Sequence, residues 1–341
     1  MTPAFPTART PNPLDAPPLR WSVLAPGRIA DAFVTAVSRF TRQRVVAVGS
    51  RSLERAQAFA TTHGVERAVG SYAELVDDPA VDVVYVASPH SEHAAQALLA
   101  IGAGKHVLVE KAFTRNAAEA QQVVTAARAA GVLVMEAMWT RFLPQTDVIA
   151  QLLADGALGE VTTVLADHGQ YFAPDPHSRL FSPALAGGAL LDLGVYPISF
   201  ASFVLGPPDA VAATGTLTDA GVDAQVSMTL TSGSAQACLN TTLLARTPTT
   251  ASISGSTGRI ELSGPFYAPG TLTLSTAAGE AVRRADPIGE HLGLCHEAAH
   301  LAQLVADGAT ESPLMPLDET VRILRTIDQI RRQIGVTYPG E

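Results

Sequence analysis

Short apolar runs separated by longer stretches of helical period fill the first 140 residues, and this alternation limits the possible folds more than any other feature. The runs are Trp21 to Leu24, Val45 to Val48, Val81 to Val86, His106 to Val109 and Val132 to Met135. Between them Ile29 to Phe40, Leu53 to His63, Glu92 to Gly102 and Ala117 to Ala130 carry apolar residues spaced for one buried helix face. Strand and helix in such alternation make βαβ units. The middle runs are apolar at nearly every position, as suits strands covered by helices on both faces, so the sheet is expected to be parallel and doubly wound.

After Arg141 the pattern changes. A helix is expected over Phe142 to Leu153, a strand over Val161 to Gln170, and a further helix over Ala189 to Val204. Beyond Ala210 the runs Val211 to Leu217, Ala224 to Thr231, Ala235 to Leu244 and Thr249 to Gly255 alternate in polarity and are broken by Gly, Asp and Ser, the signature of an antiparallel meander. Two helices, Glu290 to Asp307 and Leu317 to Ile334, close the chain. At 341 residues the chain is too long for one comfortable core. The expected organisation is a Pro-rich arm over 1–19, a Rossmann domain over 20–140, and an α+β substrate and dimerisation domain over 141–341. The second domain's large, mainly antiparallel sheet would carry helices on one side. Its open face would pair copies into a homodimer or a dimer of dimers.

Composition removes several function classes. A net charge of −9 gives no basic footprint for nucleic acid. Cys238 and Cys295 are too few for a disulfide framework or a thiolate metal cage, which suits a reduced cytoplasm. No apolar run is read as membrane-spanning and no signal-peptide pattern opens the chain, so the expected location is cytoplasmic, without a membrane partner. Pro3, Pro6, Pro11, Pro13, Pro17 and Pro18 make the first residues either a loose tail or an arm on a partner subunit.

Directly after the first strand stands Ala25-Pro26-Gly27-Arg28-Ile29-Ala30, where a Rossmann fold carries its G-x-G-x-x-G/A turn. Gly27 would allow pyrophosphate close to the backbone, and the helix opening at Arg28 and Ile29 offers free N–H groups and a positive dipole end. The second strand ends in Ser50-Arg51-Ser52, without the carboxylate that grips both ribose hydroxyls of NAD. Ser50 and Arg51, with Arg55 one turn on, would instead hold a 2′-phosphate. NADP is therefore the expected cofactor, with NAD the alternative. The competing reading makes Arg51 and Arg55 solvated charges near Glu54.

Ligands of open parallel sheets bind beyond the strands' carboxyl ends. Two such tips are polar, Ser88-Pro89-His90-Ser91-Glu92-His93 and Glu110-Lys111-Ala112. Ser88, Pro89, His90, His93, Glu110 and Lys111 thus join the expected cofactor loops, His93 chiefly by fixing its loop and Lys111 as a substrate or relay lysine.

The pieces Ala25 to Ala30, Glu110-Lys111, Met135 to Phe142 and Gly187-Gly188-Ala189-Leu190-Leu191-Asp192-Leu193-Gly194-Val195-Tyr196-Pro197 resemble the glucose-fructose oxidoreductase, inositol dehydrogenase and rhizopine catabolism (Gfo/Idh/MocA) family. Trp139-Thr140-Arg141-Phe142 and Pro265 to Pro269 are most similar to its dimeric trans-dihydrodiol dehydrogenases and NADP-dependent D-xylose dehydrogenases. The resemblance implies that Lys111, Asp192 and Tyr196 are catalytic. Tyr196 would exchange the substrate's hydroxyl proton, Lys111 would lower its pKa, and Asp192 would orient substrate and lysine. Hydride would pass between a carbinol of a sugar, polyol or trans-dihydrodiol and the nicotinamide. Ala112 and Ala25 depart from the family's proline and glycine. Trp139, Arg141, Tyr171, His177, Arg179, Phe266 and Tyr267 are candidates for the substrate wall.

Two rivals stand beside this reading. His296-Glu297-Ala298-Ala299-His300 is a formal H-E-x-x-H, the zinc-hydrolase pattern, but no third ligand follows at a suitable spacing, and the expected metal content is none. A non-catalytic sugar or dinucleotide sensor on the same fold is the other, against which the retained Lys111, Asp192 and Tyr196 argue.

Overall fold

A computed structural model describes residues 3–284 and 290–341. It has two compact units: Pro11–Phe142 with Gly289–Val321, and Met1–Thr10 with Leu143–Ile288 and Arg322–Glu341, counting the described residues of each span. In chain order the first segment contains β1 (Arg20–Leu24), α1 (Arg28–Phe40), β2 (Arg44–Gly49), α2 (Leu53–His63), β3 (Arg67–Val69), α3 (Tyr72–Val76), β4 (Val83–Val86), α4 (His90–Gly102), β5 (His106–Glu110), α5 (Ala117–Ala130) and β6 (Val134–Ala137). Then come α6 (Pro144–Ala154), β7 (Val161–Gly169), α7 (Val195–Leu205), β8 (Ala210–Leu217), β9 (Asp223–Ser232), β10 (Ala235–Thr242), β11 (Ala251–Gly255), β12 (Gly258–Leu262), β13 (Leu272–Thr276), β14 (Gly279–Arg283), α8 (Leu294–Ala306) and α9 (Leu317–Ile334).

The parallel-sheet unit has strand order β3-β2-β1-β4-β5-β6, every pair parallel, which is the doubly wound dinucleotide-binding order. β4 and β6 are buried at every position, and β5 at all but the first. Local chemistry sets the helix ends. Ser52, Ser71 and Asn116 accept backbone N–H groups at the starts of α2, α3 and α5, and Gly64 and Gly131 end α2 and α5 in the left-handed conformation. The helix α8 also belongs here, packing on α1 although it follows the other unit's strands in sequence.

The mixed-sheet unit is built on eight strands in the order β14-β13-β12-β11-β7-β10-β9-β8. Every pairing is antiparallel except β7 with β10, which run parallel. The expected open-faced sheet is thus present, with one parallel pair that a meander would lack. β9 and β10 alternate buried Val226, Met228, Leu239 and Ala237 with exposed Gln225, Ser227, Gln236 and Cys238. The helix α7 lies on β7 and β10 and is preceded by one π-helical turn, Leu190–Gly194.

Contrary to the sequence expectation, one helical stretch among the described residues, Pro183–Leu205, is long and apolar enough to cross a membrane. Most of it, 83% of its most apolar window, is buried. Packing of α7 on β7 and β10 explains the composition. The Pro-rich arm is held by its own chain. Arg9 pairs with Asp147 of α6 at 2.7 Å, Gln151 of α6 donates to the Thr7 carbonyl, and Gln43 donates to the Pro17 carbonyl.

Candidate active site

In the parallel-sheet unit β1 runs straight into the phosphate turn. Ala25 takes φ = 72°, the left-handed region where the usual first glycine sits, and its N–H donates to the Gly49 carbonyl at 3.0 Å. Gly27 caps α1, and a Cβ built there would meet nothing within 4 Å. The open side of Gly27, together with the unpaired first N–H groups of α1 at Arg28 and Ile29, suits a pyrophosphate. Ala30 is fully buried, which keeps α1 close to the sheet.

Ser50 is buried at the end of β2, its Oγ accepting the Ser52 N–H at 3.2 Å, while Arg51 and Arg55 are exposed. Burial raises the Tyr72 phenol above its ordinary value, and the charge of the nearby Arg51 partly offsets that.

At the tip of β4 the Ser88 Oγ is buried with no hydrogen-bond partner among the described residues, as expected of a group awaiting a ligand's polar atom. His90 is 3% exposed and its ring centre lies 5.6 Å from that of His93. His93 is fully buried and spans both tips: Nδ1 lies 2.9 Å from the Ala112 carbonyl and Nε2 lies 2.8 Å from the Ser88 carbonyl. This geometry fits its expected task of fixing the loop. Glu110 accepts from the Tyr85 hydroxyl at 2.5 Å and from the Lys111 N–H at 3.2 Å, so the lysine leaves a braced strand end. The Lys111–Ala112 peptide is cis.

Two further carboxyl groups lie beneath these tips. Burial pushes Glu136 up to about 7, against the opposing hydrogen bonds of Thr320 (2.8 Å) and the Phe113 N–H (3.2 Å). Burial, followed by the nearby charge of Glu110, raises Glu297 well above the usual carboxylate range, and neither of its oxygens has a hydrogen-bond partner among the described residues. In the rival motif Glu297 would be the base on a metal-bound water. Here His300 Nε2 instead lies 2.8 Å from Ser312 Oγ, its ring against Phe142, and burial lowers it to about 4. Among the described residues no cluster of three or more His, Cys, Asp or Glu side chains is placed to hold a metal.

In the mixed-sheet unit, Asp192 lies in the π turn and Tyr196 in the first turn of α7, both buried. Asp192 Oδ1 accepts from Arg179 Nη2 at 2.8 Å, a pair whose arginine is half exposed. The Tyr196 ring sits in an aromatic nest, 5.4 Å from His168 and 4.7 Å from Tyr267, which are 4.6 Å from each other. His168 Nδ1 lies 3.1 Å from the Leu193 carbonyl and Nε2 lies 3.2 Å from the Gln170 amide nitrogen.

His168 and Gln170 were not among the sequence candidates. Strand alternation was the available signal, because Val164, Ala166 and His168 share the buried face of β7. The proposed wall residues divide. Tyr267 joins the nest, and Phe266 packs on Phe200. Arg179 holds Asp192, while Tyr171 and His177 are exposed. In the other unit Trp139 stacks near His291, and the buried Arg141 guanidinium pairs with Glu319 at 3.1 Å.

Residues 19–138 match the oxidoreductase family with NAD-binding Rossmann fold, and residues 147–261 match the GFO/IDH/MocA C-terminal domain. The chain is 37% identical over 332 residues to trans-1,2-dihydrobenzene-1,2-diol dehydrogenase of Macaca fuscata fuscata, covering 95% of this chain and 99% of that one. A 3-ketoreductase from Actinomadura kijaniata, in complex with NADP and TDP-benzene, is 28% identical with a TM-score of 0.82, covering 93% of this chain and 98% of that one. Levoglucosan dehydrogenase, in complex with NADH and levoglucosan, shares the fold at 21% identity and a TM-score of 0.85, covering 94% and 98%. With both halves matched and a relative this similar along almost its full length, the chain belongs to the GFO/IDH/MocA family of NAD(P)-binding oxidoreductases.

Proposed function

We propose that the protein is an NADP-preferring dehydrogenase that oxidises a carbinol of a sugar, polyol or trans-dihydrodiol, with Tyr196 as the acid/base. The observation that carries this reading is the placement of Tyr196 with Asp192 at the start of one buried helix, its phenol ring lodged against His168 and Tyr267. Such a nest offers ring faces to a substrate's CH surface, while the Asp192 carboxylate and the His168–Gln170 pair offer polar partners to hydroxyls.

Gly27, Arg28 and Ile29 would hold the pyrophosphate, and Ser50, Arg51 and Arg55 the 2′-phosphate. The absence of a carboxylate after β2 supports NADP over NAD. When bound, the nicotinamide supplies the acceptor for the hydride leaving the carbinol carbon. Tyr196 takes the hydroxyl proton as the C=O bond forms, and returns it when the direction is reversed. A phenol titrates near 10, so the reading assigns Lys111 the task of favouring the phenolate. Asp192, held by Arg179, orients the reacting hydroxyl. Glu110 and His93 keep the lysine-bearing loop in place.

A second copy of the chain is the proposed macromolecular partner, on the exposed face of the eight-stranded sheet, where Cys238 of β10 lies in register with the half-exposed Leu165 of β7. The free thiols of Cys238 and Cys295 support a cytoplasmic location.

The test is reduced-nicotinamide absorbance with NADP⁺ and NAD⁺ over a panel of aldoses, inositols and trans-dihydrodiols. Tyr196→Phe is expected to lose roughly 10²–10⁴-fold in turnover, the usual weight of a general acid/base. Equal turnover in that variant would remove the proton carrier from the scheme.

A further inference from the structure

The helix that carries Asp192 and Tyr196 begins at a pair of glycines, and both sides of that pair are gripped by residues distant in sequence. Gly187 has no room for a side chain, since a Cβ would lie 2.5 Å from the carbonyl oxygens of Arg179 and Leu180. Gly188 takes φ = 113°, and a Cβ there would stand 2.1 Å from Asp223 Oδ1. The chain can enter the helix along this path only because both positions are glycine.

Asp223, the first residue of β9, is fully buried against that entry. Its Oδ2 accepts the Leu190 N–H at 2.5 Å. A carboxylate here meets the positive end of the helix and satisfies a donor that has no partner within the helix. From the other side the Tyr338 hydroxyl, 4% exposed, donates to the Gly187 carbonyl at 2.7 Å. Tyr338 is itself held from the end of α9. The Arg331 guanidinium lies 4.1 Å over its ring and makes a two-pronged pair with the Glu341 carboxylate at 2.9 and 2.5 Å, while Glu341 also accepts the Tyr338 N–H at 3.0 Å. Residues 331–341 therefore close on Gly187, five residues before Asp192, while Asp223 holds Leu190, two residues before it.

We propose that Asp223 and Tyr338 form a latch that fixes the position of the Asp192–Tyr196 helix, which makes both of them positioning residues for the hydride-transfer reaction. The claim rests on the reading that Asp192 and Tyr196 serve that reaction. Neither latch residue reaches the reacting atoms, so their effect passes through helix placement, to which rate is acutely sensitive. Burial pushes the Asp223 carboxyl up to about 7, opposed by the N–H groups of Leu190, of Ala189 and of its own residue and by the charge of Arg331. The other charges around this corner are Glu341 and Asp328, which with Asp223 and Arg331 bear on Tyr338. Above neutrality the ionised carboxylate grips the helix start; below it the protonated acid grips less tightly.

The test compares Tyr338→Phe, Asp223→Asn and Tyr196→Phe with wild type in the full chain. Read out are kcat, KM for nucleotide and alcohol, the pH profile of kcat, and the carbon resonances of ring-labelled tyrosine, that of Tyr196 being assigned by its loss in Tyr196→Phe. The expected result is a tenfold or greater loss of kcat in Tyr338→Phe and Asp223→Asn with nucleotide KM within twofold. A displaced Tyr196 resonance should accompany it, and the component of the acid limb near pH 7 should vanish in Asp223→Asn. An unmoved Tyr196 resonance in Tyr338→Phe overturns the latch, whatever happens to kcat. A displaced resonance with full turnover in Tyr196→Phe leaves the latch standing and removes the catalytic role of Tyr196. Should Asp223→Asn not fold, Tyr338→Phe decides the matter alone, because it keeps the ring over Arg331.

Discussion

Replacing Glu297 by glutamine is expected to stabilise the protein, and by more as the pH rises. The Glu297 carboxyl is fully buried, lacks a hydrogen-bond partner among the described residues, and faces the charge of Glu110. Burial and that charge both raise its folded pKa, so between the unfolded carboxyl's pKa and the folded one it binds a proton when folded and releases it when unfolded. Stability then falls with pH from the unfolded carboxyl's pKa upward, by about 1.4 kcal/mol per pH unit until the folded group itself titrates. Glutamine matches the shape and the buried polar atoms, so those costs cancel and the proton term is what remains. Thermal and urea midpoints of wild type and Glu297→Gln at pH 5.5, 7 and 8.5 measure it, with a gain of about 2–4 °C per kcal/mol for a unit of this size. A stability difference that stays flat with pH, or that shrinks as pH rises, would show that the carboxyl is not held neutral and would refute the reasoning.

Two other outcomes follow from the exposed residues. Arg51→Ala is expected to raise KM for NADP⁺ roughly tenfold or more and leave that for NAD⁺ nearly unchanged, since only one nucleotide carries the 2′-phosphate; an unaltered KM for NADP⁺ in initial-rate kinetics counts against the cofactor assignment. Cys238, exposed on the open sheet face, should react slowly with a thiol reagent at micromolar protein and faster on dilution through the dimer's dissociation range; a rate independent of dilution, with a monomeric mass by light scattering, would reject pairing through this face.

Much of the fold was legible because the local signals agree with one another. α2, α5 and α9 begin and end at the bounds expected from the sequence, and Ser52, Asn116, Gly64 and Gly131 stand at the ends of the first two. β3 was missed because Arg67-Ala68-Val69 is too short to show a pattern, and α3 because Tyr72–Val76 is hardly more than one turn. The parallel pairing of β7 with β10 was invisible for another reason: alternation says which face is buried and nothing about the neighbouring strand's direction. The return of α8 to the parallel-sheet unit is of the same kind, since an apolar stripe does not name its partner.

The turn at Gly27 was legible from its place after the first strand, and the Gly187 to Pro197 segment from its resemblance to the family. The candidate site was less readable where burial decides chemistry. His168 looked like one more polar residue in a strand, and the burial of Arg141 and its pairing with Glu319 left no trace in the chain's spacing. The raised pKa of Glu297 depends on what lies around it in space, which no spacing in the chain records.

The β7–β10 pair has a consequence for how the enzyme acquires activity. Because these strands run the same way, the chain between them must cross over the sheet, and that crossover includes α7, which packs on both. The ladder and the seat of Tyr196 thus rest on one another, and a substitution that breaks the β7–β10 pairing is expected to unseat the helix as well.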